Sequence, residues 1–305
     1  MASPTLQRRR LGIALRRARE VSGLTQEDAA VAIDAASSKV SRIELGQSGV
    51  KLTDLGALIQ CYGVKKAEAE RMRDLARAGR KRGRWSAYRN ITPNWFRDYL
   101  DLEDDATLIR WYQPEIVPGV LQTEAYVRAV FTTGGPRSAD DEIERLVRMR
   151  LDRQAILKRD DATLHFILSE SALRRVAGNP TLMANQLRHI AELADRANID
   201  VQVLPFDAQT YSAVTFAFIL LQFEQDASTD VVYLEDYTDA TLLDDREPVR
   251  AYNGLWNRLS AAALGQVESR ELLREIADEY TRPGRNEHRH EHPRLLQRRV
   301  ANQQP

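Results

Sequence analysis

The stretch from Gly23 to Gly46, GLTQEDAAVAIDAASSKVSRIELG, decides the fold of the amino-terminal part of the chain. Gly23 stops a preceding amphipathic helix in which Leu11, Leu15 and Ala18 share one stripe. Thr25 stands three residues before Asp28, the spacing of a capping box, so its hydroxyl can accept from the backbone N–H of Asp28. The helix that begins there carries Ala29, Ala30 and Ile33 and stops near Asp34-Ala35. Ser37 or a neighbour is expected to cap a third helix that runs to Glu44 and is closed by Gly46, and Leu52, Leu55 and Ile59 line a fourth. Two such short helices joined by a brief turn make a helix-turn-helix.

With Val40 at 0° and about 100° per residue, Ala36, Val40 and Ile43 gather into one apolar edge that should face a core. Ser38, Ser41, Arg42 and Leu45 point the other way, with Lys39 on a flank. Small hydroxyls let a helix sit deep in a major groove, where Arg or Lys can bond guanine O6 and N7. A solvated, serine-rich surface helix would carry the same residues. Gly23-Leu24-Thr25-Gln26-Glu27, followed by Ser41-Arg42-Ile43-Glu44-Leu45-Gly46, resembles the XRE-type helix-turn-helix of phage repressors and bacterial regulators. The resemblance implies that Gln26 contacts a backbone phosphate and steadies the recognition helix, and that Ser37, Ser38, Lys39, Ser41 and Arg42 face the groove. Position 34, often glycine in that family, is Asp34 here, a residue that tolerates turn conformations. Glu44, on the flank of the third helix, is expected to pair with Arg16 or Arg17.

Charge supports a division of labour. The 305 residues suit about two domains. The 44 basic and 44 acidic side chains cancel only in total. Residues 1–90 carry 19 basic against 9 acidic side chains, and residues 91–305 carry 25 against 35. A basic small part joined to an acidic large part reads as a polyanion-binding module followed by something with another task. Arg8, Arg9, Arg10 and the Arg80–Arg84 cluster are expected to touch phosphates, and a second DNA half-site implies a homodimer. The longest apolar run, Ala213–Leu221, is too short to span a bilayer, and Met1–Arg19 lacks the apolar core of a signal peptide. A single cysteine, Cys61, excludes an intrachain disulfide and fits the cytoplasm, with nucleoid association when bound to DNA. Its neighbours Leu58, Ile59 and Tyr62 give it a packing role.

The expected architecture is multidomain. An all-α, lambda-repressor-like helix-turn-helix domain spans 1–64, and a basic helical extension and linker spans 65–93. A mixed α+β domain spans 94–282, and a disordered tail spans 283–305. Within the large domain, helices are expected at about 94–103, 122–132, 138–159, 170–177, 181–197, 246–264 and 267–281. Strands are expected at Thr163–Leu168, Asp200–Leu204, Thr215–Phe223 and Asp230–Leu234, the last two forming a hairpin. No phosphate-cradling loop, dinucleotide turn, nucleophile elbow or zinc-protease pair is present, so no catalytic residue, cofactor or metal is assigned and an enzyme is not expected. His165 and His189 read as structural, and His288, His290 and His292 as part of a solvated tail. Glu103-Asp104-Asp105, Asp140-Asp141-Glu142 and Asp244-Asp245 read as helix starts or solvated surface.

Residues 110–123 crowd aromatics and prolines into one loop, fitting either core packing or an interaction surface. Val117-Pro118-Gly119-Val120-Leu121-Gln122-Thr123-Glu124-Ala125-Tyr126, then Arg150-Leu151-Asp152-Arg153-Gln154, Ala172-Leu173-Arg174-Arg175 and Val201-Gln202-Val203-Leu204-Pro205, resemble the carboxy-terminal domain of WhiJ-like actinobacterial regulators. Val120 stands where that family commonly has leucine. The resemblance implies a transcription factor, antitoxin-like, that binds double-stranded DNA and a small acidic partner protein encoded nearby. Two other readings remain open: a large domain that binds a small-molecule effector, and an enzyme or toxin carrying an autoregulatory DNA-binding module.

Overall fold

A computed structural model describes residues 2–81, 83–133, 140–209, 216–223 and 230–282. The histidine-bearing tail 283–305 and Arg82 lie outside these. In chain order the helices are α1 (Pro4–Val21), α2 (Gln26–Ala32), α3 (Ser37–Glu44), α4 (Leu52–Cys61), α5 (Lys66–Ala78), α6 (Asn94–Asp105), α7 (Glu124–Thr133), α8 (Asp140–Arg153), α9 (Glu170–Arg174), α10 (Pro180–Leu193), α11 (Arg246–Ala262) and α12 (Gln266–Thr281). The strands are β1 (Leu108–Gln113), β2 (Thr163–Ser169), β3 (Ile199–Leu204), β4 (Phe218–Gln222), β5 (Val231–Glu235) and β6 (Ala240–Leu243). The fold is thus an α-helical amino-terminal region and a mixed α+β remainder. It divides into two compact units, the first made of residues 1–112, 152–165 and 216–258, the second of 113–151, 166–215 and 259–305.

The amino-terminal helices begin and end as their residues dictate. Ser3 caps α1 by accepting from the backbone N–H of Leu6, and Thr25 and Asp28 close the capping box of α2 in both directions. Gly23 and Gly46 end α1 and α3 with φ of 69° each, and Asp34 turns the chain between α2 and α3 at φ 47°. Asp34 is the non-glycine residue that takes this left-handed conformation among the described residues. The cap of α3 departs from expectation: Ala36 holds the cap position with no side-chain bond, and Ser37 is the first helical residue. Ala36 is accordingly exposed, while Val40 and Ile43 are buried with Leu11, Leu15, Ala29, Leu55, Leu58 and Met72 in one core. Cys61 is also exposed. On α4 the buried residues Leu55, Leu58, Ile59 and Tyr62 share one arc, and Cys61 turns about 110° from its centre, so its apolar sequence neighbours do not cover it.

In the first unit β1, β4, β5 and β6 lie side by side and antiparallel, with Tyr112 opposite Phe218, Ile219 opposite Tyr233 and Tyr233 opposite Leu242. The expected β4–β5 hairpin is present, its connection lying outside the described residues. β1 and β6 had no strand expectation; Arg110 breaks the apolar run of β1, and β6 is only four residues long. The helix expected over 138–159 is α-helical only to Arg153 and tightens into a 3-10 turn over Gln154–Lys158.

In the second unit the stretch after Gln113 turns into core from Val117 onward, while Glu115 and Ile116 before it are exposed. Val117, Val120, Leu121 and Gln122 are buried. The Gln122 amide donates to Val117 O at 2.7 Å, and Gln186 of α10 donates to Leu121 O and accepts from Thr123 N, both at 2.7 Å. A Cβ on Gly119 would meet the Arg150 guanidinium at 2.2 Å, so the Pro-Gly step makes room for that arginine of α8.

The acids at the end of α6 do not start a helix, and they are engaged rather than fully solvated, Glu103 buried and Asp104 and Asp105 half-buried. Glu103 is buried and accepts from Arg153 Nε and Nη2 at 2.6 Å each, with the Tyr99 hydroxyl donating to the same carboxylate. Asp105 accepts from Ser3 N at 2.7 Å, and Asp104 accepts from Trp85 Nε1 at 2.9 Å. Burial pushes Asp104 up to about 6, against the pull of Arg84. A carboxyl raised on folding is happiest neutral, so the fold gains from this group as pH falls through that value and loses as pH rises. Asp104→Asn, which still accepts from Trp85, is therefore expected to raise the melting temperature most at about pH 8, by less at about pH 5, and hardly at all below about pH 3.5, where the carboxyl is neutral in the unfolded chain too, as read by calorimetry.

Candidate nucleic-acid interface

The recognition helix α3 is held by a buried carboxylate. Glu44, 4% exposed, accepts from Arg19 Nε at 2.7 Å and Arg19 Nη2 at 3.0 Å, and from Gln26 Nε2 at 2.9 Å. The partner is Arg19, in place of the expected Arg16 or Arg17. Arg19 follows Leu15 by one turn and so leans toward the core, whereas Arg16 and Arg17 are exposed. Arg16 instead pairs with Glu20 and Asp245. Backbone contact completes the anchor, because a Cβ on Gly12 of α1 would meet Glu44 O at 2.3 Å and Ile43 O at 2.7 Å. Helix α1 can cross the end of α3 this closely only where it has no side chain.

The outward residues of α3 are thereby aimed at solvent. Ser38 and Arg42 are exposed, and Ser37 and Ser41 are half-buried. Arg42 Nε reaches only Ser38 O, at 3.4 Å, which leaves the guanidinium edge turned outward. Lys39 donates to Asp54 of α4 at 2.7 Å, and that bond holds the Asp54 carboxyl below its ordinary range. The position of Asp54 was not legible from sequence, since the pair spans two helices. Gln26 is half-buried, its amide engaged by Glu44; that contact would steady the recognition helix from α2.

The arginines beside α3 divide differently. Arg9 is buried and bonds Asp244 at 2.6 Å, while Arg8 bonds Asp98 at 3.2 Å and Thr5 Oγ1 at 2.9 Å. Both were expected on phosphates. Arg9 is buried where its stem packs on Gly46, a Cβ on which would meet Arg9 Cγ at 2.8 Å. Arg84 pairs with Asp104 and lies 4.8 Å over the Trp85 ring.

A short helix pair, the first closed by a capping box and the second bearing hydroxyls and cations outward, is the arrangement of an XRE-like helix-turn-helix regulator that binds DNA. Consistent with it, residues 10–72 match a helix-turn-helix domain family. Residues 96–275 match the domain of unknown function DUF5753, and the chain belongs to that family. No curated protein and no solved structure matches the chain. Among the described residues no helix is long and apolar enough to cross a membrane.

Removing the Glu44 carboxylate leaves Arg19 only its bond to Leu24 O and the more distant Glu20, and frees Gln26. Glu44→Ala is expected to cost about 2–3 kcal/mol in urea unfolding. DNA affinity should fall as well, because the pose of α3 loosens, although Glu44 itself is covered.

Proposed function

We propose that this chain is a sequence-specific DNA-binding transcriptional regulator of the WhiJ-like, antitoxin-like kind rather than an enzyme. In this reading it acts in the cytoplasm as a homodimer, and its carboxy-terminal domain receives a small acidic partner protein. The observation that carries the DNA-reading part is the exposed pair Ser38 and Arg42 on a helix whose pose is set by Arg19, Glu44 and Gln26. A rigid helix with a free guanidinium can place two donors on a guanine edge. Ser37, Lys39 and Ser41 flank it, and Lys39 must exchange Asp54 for a phosphate or base to contribute.

The route from the large domain to the DNA reader is supported by side chains within the first compact unit. Asp98 and Asp101 of α6 and Asp244 before α11 fall within the DUF5753 match, and they hold Thr5, Arg8 and Arg9 of α1. α1 in turn crosses the end of α3 at Gly12. A signal that shifted α6 would therefore move the helix against which the recognition helix rests.

The test is selection of a preferred site from random duplexes, followed by gel shifts at several salt concentrations. Arg42→Ala is expected to weaken the selected site about tenfold or more while non-specific binding changes little. Equal affinity of the wild-type chain for selected and scrambled duplexes at every salt concentration would refute the reading. Thermal-shift titration with the neighbouring small acidic protein and with metabolites distinguishes a protein signal from a small-molecule one.

A further inference from the structure

Helices α1 and α5 enclose an open groove of about 580 Å³. Its floor includes the half-buried Ile13 and Leu75. Its α1 rim carries Arg10 and Arg17, two turns apart, and its α5 rim carries Glu68 and Asp74. Arg17 and Glu68 make no hydrogen bond or ion pair among the described residues, and Asp74 reaches only Arg77 on its own exposed face. Arg10, expected on phosphate, lines this groove.

We propose that the groove is where a second copy of this chain docks, through a two-fold interface in which α1 of each copy lies against α5 of the other. The proposal rests on the homodimer of the preceding reading and names its surface. A two-fold contact presents the same patch twice, so the patch must be complementary to itself. Here the charges meet that requirement. Along α1 the rim reads cation, neutral, cation, with Ile13 between Arg10 and Arg17. Along α5 it reads anion, cation, anion, with Arg71 between Glu68 and Asp74. Laid across the two-fold, Arg10 and Arg17 of one copy face the acids of its partner, and Arg71 rests its aliphatic stem over Ile13. The opposite arrangement, α1 against α1, would set arginine against arginine and is disfavoured. Apolar floor residues would supply the buried area while the rims set the register.

The test uses the full chain and sedimentation equilibrium. The doubly reversed variant Arg10→Glu/Arg17→Glu and the complementary variant Glu68→Arg/Asp74→Arg should each dissociate about a hundredfold more readily than the wild type. Mixed together they should form a heterodimer, because both rim pairings are then restored. Circular dichroism and thermal melts check that each variant is folded, and the mixing result distinguishes a rim contact from a general loss of stability. A wild-type chain that stays monomeric at high micromolar concentration, reversed variants that remain dimeric, or variants that fail to pair on mixing would overturn the proposal. Gel shifts on single half-sites separate the two readings: half-site binding by a monomer leaves the DNA-reading function standing while this surface falls.

Discussion

One buried carboxylate organises the DNA-binding end of the molecule. Glu44 sits at the last turn of α3, out of water, and its two oxygens are taken by Arg19 from α1 and Gln26 from α2. A charge in that position is tolerated only because the guanidinium fork and the amide satisfy it. Three helices are thereby referred to one point. The side chains on the far face of α3 inherit their direction from it.

The close crossing at Gly12 makes the same point in steric terms. With no room for a Cβ between α1 and the carbonyls of Ile43 and Glu44, α1 cannot slide without carrying the end of α3. α1 is also the helix whose first turns are held by carboxylates outside the helix-turn-helix: Asp105 on Ser3, Asp101 on Thr5, Asp98 on Arg8 and Asp244 on Arg9. The helix therefore has two allegiances, one to the recognition helix and one to the remainder of the first compact unit. The opposing charge of the two halves of the chain has part of its explanation here. Some of the acids in the larger half exist to hold arginines of the smaller half, and the zero net charge records those pairs as well as a division of tasks.

Much of the amino-terminal fold was legible because helix boundaries are written in short-range chemistry. The capping box at Thr25 and Asp28, the glycines that end α1 and α3, and the burial of Val40 and Ile43 all follow from residues within one or two turns of one another. The failures have a common form. Ala36 faces water because it is the cap of α3, outside the helix whose wheel placed it on the apolar edge, and Cys61 because apolar neighbours in sequence sit on another arc of α4. The acids Glu103, Asp104 and Asp105 look like surface charge, yet they end a helix packed against Arg153, Trp85 and Ser3. β1 escaped notice because its aromatics and Arg110 mimic a loop, and only its pairing with β4 makes it a strand.

The sequence by itself determined where the short helices lie, which face of α3 turns to the core, and how charge is split along the chain, since turn signals, periodicity and composition are local properties. Only the tertiary structure decided which charge meets which. Arg19 finds Glu44 across 25 residues, Arg153 finds Glu103 across 50, and Arg9 finds Asp244 across 235. An arginine's partner is whichever carboxylate the packing brings within hydrogen-bonding distance while excluding water, and that choice is made by the apolar core, at a range no local pattern encodes.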